Sequence, residues 1–141
     1  MIEALVVEDD AISRKLLTDV LSANGYAVQA TGRGEDAPAL ALARPPDVAL
    51  LDIHLPGIDG VETLRRLRAL PGLAGLPAIA VTASVMLADH GRVLEAGFDL
   101  LLHKPVRLQP LLQALRTVLK TAPPRPPGEG PPDVGSTGDP A

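Results

Sequence analysis

Four polar patches interrupt the aliphatic runs of this sequence: Glu8-Asp9-Asp10, Asp52, Thr82 and Lys104-Pro105. Singly, each has an ordinary explanation. An acid after an apolar run is usually a solvated cap, a threonine there is a good strand former, and a lone lysine is surface. Together, if a fold brings them to one place, they suit phosphoryl-transfer chemistry. Two carboxylates held about 4 Å apart repel by roughly 4 kcal/mol at an effective dielectric near 20, so they call for a cation. Oxygen-only ligands point to Mg²⁺, typically held by one or two carboxylates with water and phosphate oxygens completing its shell. A metal ion and the Lys104 ammonium would neutralise a transferring phosphoryl group, and Thr82 would donate a hydrogen bond to one of its oxygens. An Asp carboxylate can be the nucleophile.

The elements must bring these patches to one place. Short apolar runs alternate with segments of helical period, as expected of a parallel sheet covered on both faces. Five βα units fit, with strands over 4–7, 27–31, 48–51, 78–81 and 100–102, the second being the least pronounced. Asp10 is placed to cap a first helix carrying Ile12, Leu16, Leu17, Val20 and Leu21 on one stripe and stopping at Asn24-Gly25. A second helix over 35–43 has Pro38 in its first turn, where proline is tolerated, and ends before Pro45-Pro46. Val61, Leu64 and Leu67 mark the third helix; the fourth covers 86–96; Leu108, Leu111, Leu112, Leu115 and Leu119 mark the fifth. Right-handed crossovers make this an α/β, doubly wound, five-stranded parallel sheet. Ligands in such sheets bind beyond the carboxyl ends of the strands, where strand order reverses. Glu8, Asp9, Asp52, Thr82 and Lys104 all follow strands or close them.

At this point the sequence resembles the receiver domains of two-component response regulators. The resemblance rests on Val6-Val7-Glu8-Asp9-Asp10, on Leu51 through Gly60, on Val81-Thr82-Ala83-Ser84, and on Ala96-Gly97-Phe98-Asp99 through His103-Lys104-Pro105. It covers about residues 2–120. It implies a (βα)₅ domain with the flavodoxin-like strand order 2-1-3-4-5. By the same resemblance Asp52 is the phosphoacceptor and, with Asp9, a direct Mg²⁺ ligand. Glu8 acts through a metal-bound water, and His54 offers its backbone carbonyl. Thr82 and Lys104 hold phosphoryl oxygens, and the Lys104-Pro105 bond is cis. The phosphate comes from a histidine kinase or a histidine phosphotransfer protein. The output is a conformational change read by a downstream protein, with a phosphorylation-dependent dimer as one form of it. His54 and Ser84 lie near the path of an attacking water. Many family members have an aromatic residue three positions before the lysine; here it is Leu101. A switch without an aromatic is therefore expected, working through Val85, Met86, Leu87 and Leu101.

Other readings compete. Gly32-Arg33-Gly34-Glu35-Asp36-Ala37 matches the dinucleotide pattern G-x-G-x-x-G/A, with Asp52 about twenty residues on. It follows the least pronounced strand and leaves Asp9, Thr82 and Lys104 without a role. An aspartyl-phosphate phosphohydrolase would carry a second acid two residues after its nucleophile, where this chain has His54. An unphosphorylated receiver-like binding module is the non-enzymatic alternative. His90 and His103 are expected at solvated positions, with no further residue spaced to complete a zinc site.

Composition narrows the partners. Tyr26 and Phe98 are the only aromatics, and the formal charge is -4, so neither base stacking nor attraction to a phosphate backbone or an anionic membrane is available. Neither nucleic acid nor membrane is expected as a partner. There is no cysteine, no basic leader and no apolar run of membrane-spanning length, which makes a cytoplasmic location the expectation. The domain is expected over 1–120. Residues 121–141, with seven of the fifteen prolines and four glycines, read as a disordered tail or linker. A stand-alone regulator, a phosphorelay intermediate and a receiver from a larger hybrid kinase remain open.

Overall fold

The computed structural model describes residues 1–83 and 87–120, for 87–89 the backbone alone. The expectations for Ser84, Val85, Met86, the Leu87 side chain and the 121–141 tail lie outside the described residues. The chain runs β1 (Ile2–Val7), α1 (Ala11–Ala23), β2 (Tyr26–Thr31), α2 (Ala37–Ala43), β3 (Val48–Asp52), α3 (Gly60–Arg68), β4 (Ala78–Thr82), α4 (Leu87–Glu95), β5 (Leu100–His103) and α5 (Leu108–Lys120). All neighbouring strands are parallel, in the order β2-β1-β3-β4-β5.

Strand alternation sorts the core into two layers. Leu5, Val7, Ala49, Leu51, Ala78 and Ala80 pack on the side of α2, α3 and α4. Ala4, Val6, Val48, Leu50 and Ile79 pack on the side of α1 and α5, against Leu17, Leu21, Leu111 and Leu115. With both faces covered, β3 and β4 are buried at every position, which is why they read as unbroken apolar runs. β2 lies on the sheet edge and is mostly half-buried, which accounts for its weaker signal.

Local chemistry sets the helix starts. Asp10 Oδ2 accepts from Ser13 N at 2.8 Å, capping α1, and Asp59 Oδ1 accepts from Glu62 N at 2.9 Å, capping α3. Gly25 follows α1 with φ +92°, the left-handed conformation that glycine adopts without penalty. Two details differ from the sequence expectation. Residues 34–36 form a separate 3₁₀ turn, so α2 begins at Ala37, with Pro38 still in its first turn. Ile12, Leu16 and Leu108 are exposed: their stripes are wider than the sheet face they cover.

Candidate functional site

The chain passes from β2, at the edge, to β3 on the other side of β1, so strand order reverses between β1 and β3. Glu8 and Asp9 follow β1, and Asp52 closes β3, on either side of that reversal. One carboxylate oxygen from each of Glu8, Asp9 and Asp52 lies within 4.8 Å of the others. Glu8 and Asp52 are buried, whereas Asp9 is exposed.

The acidic turn is held by its own backbone. Glu8 N donates to Thr31 O at 3.0 Å and Asp10 N to Glu8 Oε2 at 3.1 Å. Arg14, one turn into α1, donates through Nη1 to Glu8 O at 2.8 Å. At the end of β3, His54 N donates to Asp52 Oδ1 at 3.0 Å, leaving Oδ2 to Lys104. Gly60 sits so close under this loop that a Cβ there would stand 2.3 Å from Asp52 O. Only a residue without a side chain lets α3 start there.

Lys104 closes the site from β5. Its N donates to Thr82 O at 2.9 Å, and its Nζ donates to Asp52 Oδ2 at 2.8 Å and to Glu8 Oε2 at 3.0 Å. Thr82 is buried at the end of β4, and β4 places Val81 opposite Asp52 in register. The same ammonium lies 2.8 Å from Glu8 Oε1, a charge contact without hydrogen-bond geometry, so that buried oxygen keeps a lone pair for another partner. Burial pushes the Glu8 carboxyl above its ordinary pKa, against the hydrogen bond from Lys104, while nearby Asp52 adds repulsion. Partial burial works against the Lys104 ammonium, but its hydrogen bonds to Asp52 and Glu8 outweigh this and raise its pKa.

These observations test the fit of a hard cation. Three carboxylates cluster where one lysine pairs with two of them, and a buried carboxylate oxygen lacks a hydrogen bond. The donor set is all oxygen, as Mg²⁺ requires, and the exposure of Asp9 leaves the cluster open to solvent.

Of the expected site residues, the structure brings Glu8, Asp9, Asp52 and Lys104 together, with Thr82 closing the strand between Asp52 and Lys104. His54 meets Asp52 through its backbone N–H, and its side chain is exposed. The Lys104-Pro105 bond is cis. The dinucleotide pattern is closed off by the protein itself. A Cβ at Gly34 would meet Thr63 Oγ1 and Ile58, and one at Gly32 would meet Arg14. These glycines make room for neighbouring side chains.

Several contacts had no local signal in the sequence. Arg14 supports the acidic turn, and Glu35 accepts from Ile58 N at 3.1 Å, tying the start of the α2 segment to the loop after β3. Arg68 donates to Leu76 O and Gly97 O. His90 and His103, expected only to be solvated, face each other across α4 and β5.

Comparison with known proteins agrees with this geometry. The family model described as the response regulator receiver domain matches residues 4–116. The polar-differentiation response regulator DivK of Brucella anthropi is 33% identical over 118 residues, spanning 84% of this chain and 96% of that protein. Among solved structures, the chemotaxis protein CheY4 of Vibrio cholerae superposes with a TM-score of 0.80 at 25% identity, covering 84% of this chain and 98% of that one. The receiver domain of a sensor histidine kinase from Pseudomonas aeruginosa, solved with a magnesium ion coordinated in its active-site cleft, gives 0.77 at 30% identity, covering 84% and 98%.

Proposed function

The chain belongs to the response regulator receiver family of two-component signalling, and we propose that in it Asp52 accepts a phosphoryl group from a histidine kinase or histidine phosphotransfer protein. The observation that carries this reading is the Lys104 ammonium, held at once on Asp52 Oδ2 and Glu8 Oε2. An Asp carboxylate oxygen would attack phosphorus as the phosphorus–nitrogen bond of the donor histidine breaks. The released imidazole nitrogen then takes a proton from solvent. Lys104 is placed to neutralise charge on the phosphoryl oxygens, and the Thr82 hydroxyl to donate to one of them. Glu8, Asp9 and Asp52 would hold Mg²⁺, with the His54 carbonyl as a further ligand. The ion would supply charge neutralisation at the acceptor and the incoming phosphoryl group.

Downstream signalling then passes to a protein partner through the surface beside Thr82, α4 and β5. Among the described residues, no helix is long and apolar enough to cross a membrane. A cytoplasmic location, a folded domain over 1–120 and a linker role for 121–141 belong to this proposal.

The test is labelling of the full chain with acetyl phosphate, with and without Mg²⁺, read by intact mass. One phosphoryl group per chain, acquired only with Mg²⁺, is expected. Absence of label under both conditions would favour the receiver-like binding module instead.

A further inference from the structure

His90 lies on α4, and His103 is the last residue of β5. Their Nε2 atoms stand 3.1 Å apart, with ring centroids at 4.9 Å and planes inclined by 61°. His103 is exposed and His90 half-buried, so the point between them is reachable from solvent. A neutral imidazole has one N–H and one lone pair, so this contact is a hydrogen bond only if one ring keeps its hydrogen on Nε2. With both rings in the other tautomer, two lone pairs converge on one point. A cation can occupy that point in place of the shared hydrogen. Two nitrogens bound at about 2.0–2.1 Å in a tetrahedral arrangement stand about 3.3–3.4 Å apart, so the pair needs only a few tenths of an ångström of adjustment.

We propose that His90 and His103 form a second metal site, selective for a borderline transition-metal ion of the Zn²⁺ class, which fastens α4 to the end of β5. Imidazole nitrogens suit zinc, copper and nickel, whereas the Glu8, Asp9 and Asp52 oxygens suit magnesium, so the two sites sort different ions. Two protein ligands leave the remaining positions to water. Such a site binds reversibly and does not hold the fold together. It also reaches the acidic site: His103 is opposite Thr82 in register, and the next residue, Lys104, contacts both Asp52 and Glu8.

The test is calorimetric titration of the full chain with Zn²⁺ in excess Mg²⁺. One Zn²⁺ per chain is expected, with affinity at least tenfold lower in each of His90→Ala, His103→Ala and His103→Gln and unchanged in Asp52→Asn. In the parent protein, which avoids any folding defect of the variants, Zn²⁺ should shift the imidazole Nε2 resonances of both residues in nitrogen NMR. Zn²⁺ affinity that falls less than tenfold in the histidine variants, or is lost in Asp52→Asn, overturns the proposal. So do Nε2 resonances that ignore saturating Zn²⁺.

Discussion

Lys104 and Asp52 are joined by a 2.8 Å hydrogen bond although Lys104 follows β5 and Asp52 closes β3, two strands that do not touch, with β4 between them. The lysine side chain passes over the end of β4 to reach two acids on β3 and beyond β1. It therefore ties together four of the five strands at their carboxyl ends and offsets the repulsion between Glu8 and Asp52. Replacing Lys104 by Met should destabilise the domain at neutral pH by on the order of 3 kcal/mol, because two buried acids lose their partner. Mg²⁺ should restore part of that loss, and should raise the stability of Lys104→Met more than that of the parent. Urea unfolding of both proteins with and without Mg²⁺ measures this; equal responses to the ion would contradict it.

Asp52 alone combines the end of β3 with a lysine and two neighbouring acids. Asp52→Asn should remain folded and take no phosphoryl group from acetyl phosphate. Stoichiometric acyl-phosphate label elsewhere in that variant would remove the assignment.

Gly60 gives a test of backbone approach. Gly60→Ala should cost about 1–3 kcal/mol and slow labelling of Asp52, since its Cβ must displace the backbone at Asp52 and Ile53. Gly91, inside α4 with nothing within 4 Å of an added Cβ, is the control: Gly91→Ala should stabilise by about 0.4–1 kcal/mol. Thermal unfolding of the pair should move in opposite directions.

Acid sensitivity should have an identifiable component on α3. Hydrogen bonds from Arg65 and Arg66 hold the Glu62 carboxyl down at about 2, from an ordinary 4.5. A depressed carboxyl contributes stability above its unfolded pKa and loses it as pH falls through the folded value. The difference in melting temperature between parent and Glu62→Gln should therefore be constant above about pH 5 and shrink toward pH 2. Because the pair is solvent-accessible, added salt should reduce it as well. A difference that does not change with pH would contradict the assignment.

Leu101 packs against the core layer that contains Val93 and Phe98 and stands opposite Ala80 in register, with no hydroxyl to exchange between partners. Signalling without an aromatic switch should show as altered amide exchange over 87–96 and 100–104 when beryllofluoride and Mg²⁺ are added. Unchanged exchange across both segments would exclude this route.

How much of this was legible in the sequence follows from where each signal is encoded. β3 and β4 could be read because burial on both faces leaves no polar position to blur them, and the acids and lysine could be placed because they adjoin strand ends. The edge position of β2 thinned its pattern. Ile12 and Leu16 looked like core because periodicity records which side of a helix is apolar, and not how far its neighbour extends. Arg68 with Gly97, Glu35 with Ile58 and His90 with His103 are separated by 29, 23 and 13 residues, and only the folded chain brings them together.

The hold of Arg68 has a mechanical consequence. Its guanidinium donates to Gly97 O at 2.8 Å and to Leu76 O at 2.7 Å, while Asp99 accepts from Ala78 N at 2.9 Å. The residues just after α4 are thus riveted to the base of β4, whereas the helix's other end follows Thr82. The exposed Arg92–Asp59 ion pair, worth at most about 1 kcal/mol, adds little to that hold. A rod hinged at one end turns a push at the other into an arc. A displacement arising at Thr82 would swing α4 about Gly97 with its greatest travel near Leu87, so a partner reading this surface would sense a tilt and not a slide.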